Sequence, residues 1–241
     1  MARSFNGSQK IQCPSPATTT VGAVTMGIWA FYTASGVDSV AFSNGSSGAA
    51  DGYAIRIFGN SFLIQIWGGG GSFNTSLAMP LNTWVYISAR SDASHNWTGD
   101  ISGVGTSTIG PNTVNAAPLA TNIGDRGDQF IGWNGNLADA AIWEGRITDQ
   151  EVYALQKGAR PWQIKSQKLV GWWPLDGYGH PALDRSFKRN HGVLTGTAFV
   201  TGPPLLNPAP IILPLPDPSF VMPAMIPPPP PSVMMMGQIQ L

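Results

Sequence analysis

Glu144 and Glu151 are the only two glutamates in a chain of 241 residues. Hydrolysis of a glycosidic bond needs two carboxyl groups facing each other across it, one donating a proton and the other attacking or activating water. Glu144 ends the apolar run GNLADAAIWEG, whereas Glu151 follows Thr148 by three residues at a helix start, so the two belong to different elements with different tasks. His95, His180 and His191 lie far apart, and none has metal-ligand spacing. Cys13 is the single cysteine; it closes no internal disulfide, builds no thiolate metal site and is expected as a small buried hydrophobe. The run GGGGS (68–72) lacks the lysine and following helix of a phosphate-cradling loop. No catalytic residue is assigned. Hard oxygen ligands remain: Asp125 and Asp128 in NIGDRGDQF, with Asp51, Asp92 and Asp100, are expected on loops. Calcium is the cofactor such residues could take, although they are spaced more sparsely than in an EF-hand loop; no other cofactor is expected.

Sugar recognition asks for an exposed aromatic ring with amides nearby. SHNWTGD (94–100) offers Asn96 and Trp97 on a loop or strand edge, and IGWNGN offers Trp133. The competing expectation is that these tryptophans fill the core, where Trp more often serves. With 11% charged residues and zero net charge, the chain has no electrostatic footprint for nucleic acid or an anionic membrane surface, and neither partner is expected. No apolar run reaches the ~18 residues that would span a bilayer, and MARSFNGSQKIQCPS reads as no secretory signal.

The elements that must position these groups are short strands between Gly, Asn and Ser turns. VTMGIWAF (24–31), YAIRIF (53–58), SFLIQIW (61–67), NTWVYISAR (82–90) and GNLADAAIWEG (135–145) read as strands of an all-β sandwich. Gly59-Asn60 suits a type II′ hairpin loop, with Tyr53, Ile55 and Ile57 on one face and Phe62, Ile64 and Ile66 on the matching face of its partner. One short helix is expected in ITDQEVYALQKGARP: Thr148 and Glu151 form a capping box, Val152 and Leu155 an apolar stripe, and Gly158 with Pro161 the stop.

The ordered set MGIWAF, DGYAIRIFGNSFLIQIW, LNTWVYISAR, PLATNIGD and FIGWNGNLADAAIWEGRITDQEVYAL resembles a laminin-G-like domain of the concanavalin A-type lectin and glucanase superfamily, over most of the first 157 residues. The resemblance implies a jelly-roll sandwich with Trp29, Trp84, Trp143 and the Gly135–Asp139 strand at the family's positions. Its hydrolases carry glutamates two to four apart on one strand, a pattern this chain lacks. LVGWWPLDGYGHPALDRSFKRNHGVLTGTAFV (169–200) is similar to the segment that normally begins such domains, and ARSFNGSQKI to the strand that normally follows it. The sandwich is therefore expected to be circularly permuted or to swap its last strands with a neighbour, as one domain over 1–202. The alternative, a separate module at 166–202, would have too little core to stand alone.

Residues 203–241 differ in kind. These 39 residues hold 13 of the 21 prolines and 5 of the 8 methionines, and their one charge is Asp217. Left in water such an arm would be sticky; in polyproline II it would reach roughly 120 Å and lose little entropy on docking. Phe220, Met222, Met225, Ile226, Pro227, Pro231, Met234, Met235 and Met236 are expected to anchor it to a partner. A lectin-like domain with such an arm resembles structural proteins of tailed bacteriophages. That resemblance implies a virion location, the major capsid protein or other virion proteins as partners, homo-oligomers, and a role as capsid decoration (cement) protein. A tail or fibre component, and a lectin for host surface glycans, are the alternatives.

Overall fold

A computed structural model describes residues 1–15, 17–18, 22–46, 51–67, 71–114, 120–126, 131–177 and 181–205. The chain divides into two units, Met1–Leu206 and Asn207–Leu241. The second lies outside the described residues, and with it every expected anchor from Phe220 to Met236.

The first unit is an antiparallel sandwich. One sheet has the order β10 (Gly105–Pro111), β9 (Asn96–Ile101), β8 (Trp84–Ser91), β3 (Thr25–Tyr32), β12 (Asn134–Trp143), β1 (Ala2–Asn6), β15 (Ala198–Val200), with β13 (Leu169–Trp173) also paired to β12. The facing sheet has the order β14 (Val193–Thr195), β2 (Lys10–Cys13), β11 (Thr121–Ile123), β4 (Ser39–Ser46), β5 (Asp51–Phe58), β6 (Ser61–Ile66), β7 (Gly71–Ala78). Period-two alternation puts one set of side chains between the sheets: Met26, Ile28 and Ala30 of β3, Tyr53, Ile55 and Ile57 of β5, Phe62, Ile64 and Ile66 of β6. Between β5 and β6, Phe58 pairs with Ser61 across the two-residue loop, and Gly59 takes φ +66, as the first position of a type II′ turn requires.

Residues 169–200 complete both sheets within the same chain. β13 pairs with β12, β14 with β2 and β15 with β1. The N-terminal strand is thus held between a strand from the middle of the chain and the last strand described. One edge of β12 is divided: residues 134–137 pair with β1 and residues 140–143 with β13. At the break Asp139 adopts φ +53, which Asp tolerates better than most residues, and its N–H donates to Pro174 O at 3.1 Å. The adjacent tryptophans Trp172 and Trp173 are both buried, on opposite faces of β13. Trp173 enters the core between the sheets, and Trp172 joins a second cluster outside.

That second cluster exists because the outer face of the first sheet is roofed at one end. The helix α1 (Asp149–Gln156) starts with the capping box, Thr148 N–H donating to Glu151 Oε2 and Glu151 N–H to Thr148 Oγ1, and Gly158 at φ +95 follows its end. Val152 and Leu155 press with Ile147 and Ile164 on Trp29, Trp143 and Trp172. Pro203 is buried and Leu205 packs against the same cluster, so the domain's packing continues past the expected boundary at residue 202. Among the described residues no helix is long and apolar enough to cross a membrane.

Candidate functional site

The two glutamates are occupied with separate structural tasks. Glu144 Oε1 accepts from Thr18 Oγ1 at 2.7 Å and pairs with Lys188 at 3.5 Å; Glu151 caps the helix and pairs with Lys165 at 3.2 Å. Asp100, expected on a loop, is on β9 and nearly fully buried. Arg90 Nε and Nη2 donate to its two oxygens at 2.9 Å each, and Ser88 and Thr106 hydroxyls add further bonds. Asp92 organises a tight turn by accepting from the Ser94 and Asn96 N–H groups and from Asn96 Nδ2. Asp51 begins β5 and is buried. Asp125 is buried and accepts from the Arg126 N–H at 2.7 Å, while Asp128 and His180 lie outside the described residues. Among the described residues no three His, Cys, Asp or Glu side chains come together as a metal site would require. His191 Nδ1 accepts from Asp184 N–H at 3.1 Å, and His95 sits in the Asp92 turn at φ +60. Cys13 is buried, and burial pushes its thiol up, away from reactivity.

Neither tryptophan considered for sugar stacking has a free face, which corrects that expectation. Trp97 alternates inward on β9, packs on Tyr53 at 5.5 Å and donates to Asn112 O at 2.9 Å. Trp133 is wholly buried beside Tyr32 at 5.0 Å, its indole N–H without a partner among the described residues. Asn96 is half-buried and held by Asp92.

What sequence reasoning missed lies on the outer face of the second sheet. Gln12, Asn122, Ser43, Ala54 and Gln65 are successive register partners across β2, β11, β4, β5 and β6, and all point away from the core. Asn122 is fully buried with neither amide atom hydrogen-bonded to any described residue; Gln65 Oε1 and the neighbouring Trp67 Nε1 equally have no partner among the described residues. Each such group costs about 1–3 kcal/mol of unrecovered desolvation. Ala54 of this row packs with Val40, Trp67 and Ile131 in a small apolar cluster. Alternation could have placed these residues on one face, but their alignment depends on strand order, which no local pattern carries.

A titratable centre sits behind β12. Asp139, 1% exposed, accepts from Trp172 Nε1 at 2.7 Å and faces Arg160 Nη2 at 3.4 Å, with Asp176 and Arg185 further out. Burial pushes its carboxyl up to about 6, against the pull of Arg160 and the indole. A raised folded-state value means stability that is present below the unfolded value and lost as pH rises through about 6. By that linkage the wild type is expected to lose up to about 3 kcal/mol between pH 4 and 7 from this group alone. Asp149, held below the usual carboxylate range by its hydrogen bond from Arg90, slopes the other way. The difference between wild type and Asp139→Asn in urea unfolding at several pH values isolates the effect; parallel pH profiles would refute it.

A laminin-G-type family model, described as the concanavalin A-like lectin/glucanases superfamily, matches residues 5–153, more than half of the chain. The chain belongs to this superfamily. Members vary in what they do with the sandwich, so membership fixes the fold and leaves the site to be argued. β13, β14 and β15 lie beyond the matched residues, although they fill both sheets. Among solved structures, this superfamily member resembles a candidate carbohydrate-binding protein from Bacteroides ovatus ATCC 8483 at 15% identity and a TM-score of 0.62, over 82% of this chain and 58% of that one. It also resembles the heptameric SAP-like pentraxin of Limulus polyphemus, at 13% identity and a TM-score of 0.52, over 64% of this chain and 81% of that one. The chain thus spans little more than half of the Bacteroides protein's length. No curated protein sequence matches it.

Proposed function

We propose that this chain is a non-enzymatic structural component of a virion, a capsid decoration protein whose lectin-like sandwich is carried on the particle by its C-terminal arm. The observation that carries the reading is the composition of residues 203–241, apolar and Pro-rich with Asp217 as the one charge, in a chain with 11% charged residues overall. Burying half of the arm's apolar side chains would remove several hundred Å² from water, on the order of ten kcal/mol gross before association costs. The separate structural tasks of Glu144 and Glu151 support the non-enzymatic part. The reading needs no cofactor; the arm would dock on the major capsid protein or on further copies of this chain. Attachment to a tail or fibre is the same mechanism with a different partner.

Truncation tests it, placed after Leu205 because Pro203 and Leu205 still pack on the domain. The truncated protein is expected to stay folded and soluble and to be missing from purified particles by electron microscopy and gel analysis. Undiminished incorporation would sink the anchoring role.

A second reading, recognition of host surface glycans, is favoured by a specific observation: on the outer face of the first sheet the half-buried rings of Phe31 and Trp84 lie 5.7 Å apart. The Bacteroides ovatus protein that the chain resembles is described as a candidate carbohydrate-binding protein, which supports the same class of ligand. The two readings are compatible, since a displayed lectin would serve adsorption.

A further inference from the structure

The helix α1 is eight residues long, about 12 Å, and roofs only one end of the first sheet's outer face. Along β3 the outward positions are Thr25, Gly27, Trp29 and Phe31, since Met26, Ile28, Ala30 and Tyr32 point into the core. Trp29 is buried under the second cluster, whereas Phe31 stands one step beyond it and is half-exposed. Its register partner on β8 is Trp84, also half-exposed, and the two rings lie 5.7 Å apart at 58°. On the other side Phe31 pairs with Asn136, and Asn136 with Ser4. Trp84, Phe31, Asn136 and Ser4 therefore form one line across four strands, about 14 Å at the ~4.8 Å strand spacing. Asn134 flanks the line on the same face of β12, two residues along. Asn134, Asn136 and Ser4 are all partly exposed, and their side chains make no hydrogen bond to any described residue.

We infer that this strip is a binding site for a neutral saccharide. The inference rests on the sugar-binding reading above and gives it a location. The chemistry is complementary: a pyranose ring has an apolar C–H face that lies on aromatic rings and a rim of hydroxyls that both donate and accept. Two tilted rings beside two amides and a hydroxyl supply those partners in that order along the line. The strip itself contains no charged residue, so a sialylated or uronic acid sugar would find no counter-ion for its carboxylate. The line has the width of a short oligosaccharide. The buried row on the second sheet has comparable polar groups, but Asn122 and Ser43 are wholly buried and offer a sugar no exposed surface.

The test uses the full-length chain on an array of neutral and anionic glycans, followed by titration calorimetry with the tightest binder and with a synthetic peptide of residues 222–233. Neutral glycans are expected to bind. Trp84→Ala should weaken them about ten-fold or more, as truncation of an aromatic anchor does. Asn136→Ala should weaken them several-fold, and Asn122→Ala and Gln65→Ala should leave them unchanged. Trp84 also packs on the second cluster, so its loss could unsettle the fold; Asn136, partly exposed and without a partner, gives an independent reading. Binding that survives both strip substitutions and falls with Asn122→Ala would overturn the location and leave the sugar reading standing. No glycan bound at all would remove both. Capture of the Pro-rich peptide by the strip in place of any sugar would overturn the choice of ligand.

Discussion

Ending the chain after Lys165 is expected to give an insoluble product, and Trp173→Ala to lower stability by about 3–5 kcal/mol. Trp173 is wholly buried between the sheets, edge-on to Phe42 at 6.0 Å, and its indole N–H donates to Asn190 O at 3.0 Å. Its ring lies so close over Gly171 that a Cβ there would come within 2.5 Å of it, so the site cannot collapse inward without moving β13. The alanine therefore leaves a cavity of nearly a whole indole and an orphaned carbonyl. Truncation removes more: β13 from β12, β14 from β2 and β15 from β1, baring strand edges in both sheets at once. Equilibrium urea unfolding measures the substitution, and expression with a melting curve measures the fragment. A fragment 1–165 that melts cooperatively would show residues 169–200 to be a separate module, against the pairing seen here.

Why that segment was readable as part of the domain, and its place was not, follows from where each kind of information resides. The helix was legible to the residue because its signals are local: Thr148, Glu151, Val152, Leu155 and Gly158 lie within eleven positions and act on one another. The β5–β6 hairpin was legible for the same reason, two alternating runs joined by Gly59-Asn60. The division of β12 between β1 and β13 was invisible, because it joins residues 2–6, 134–143 and 169–173 and turns on one backbone angle at Asp139. The sugar-stacking expectation failed at Trp97 through a neglected alternation. NWTGDI places Trp97, Gly99 and Ile101 on one face, and Gly99 leaves room for Phe62 and Thr75, so the inward face is the one with the tryptophan. The more promising rings, Phe31 and Trp84, sat in runs already read as core strands. Whether an outward aromatic is covered depends on how far an eight-residue helix reaches, and no strand pattern contains that.

Asp100→Ala is expected to destabilise the domain by about 3–5 kcal/mol, and Asp149→Ala by no more than about 1, although both carboxylates bond the same guanidinium. Arg90 and Asp100 have side chains 1% and 2% exposed; Asp149 is 88% exposed. Arg90 forms a two-point fork with Asp100, Nε and Nη2 each at 2.9 Å, and extends Nη1 to Ile147 O at 3.0 Å and Asp149 Oδ1 at 2.8 Å. It thereby ties β8 and β9 to the chain entering α1. Without Asp100 the guanidinium keeps its burial and loses its only buried counter-charge, while the Ser88 and Thr106 hydroxyls lose their acceptor. Without Asp149 the fork survives, and water can reach the one nitrogen that is freed. Removing a buried partner strands a charge that a water-exposed partner would not, so position rather than the number of bonds decides the ranking. Denaturant midpoints for the two single variants, at matched m-values, measure it. Equal losses at the two positions would mean that solvent reaches Arg90 in the folded protein, and the buried fork would then not be what fastens the helix to the sheet.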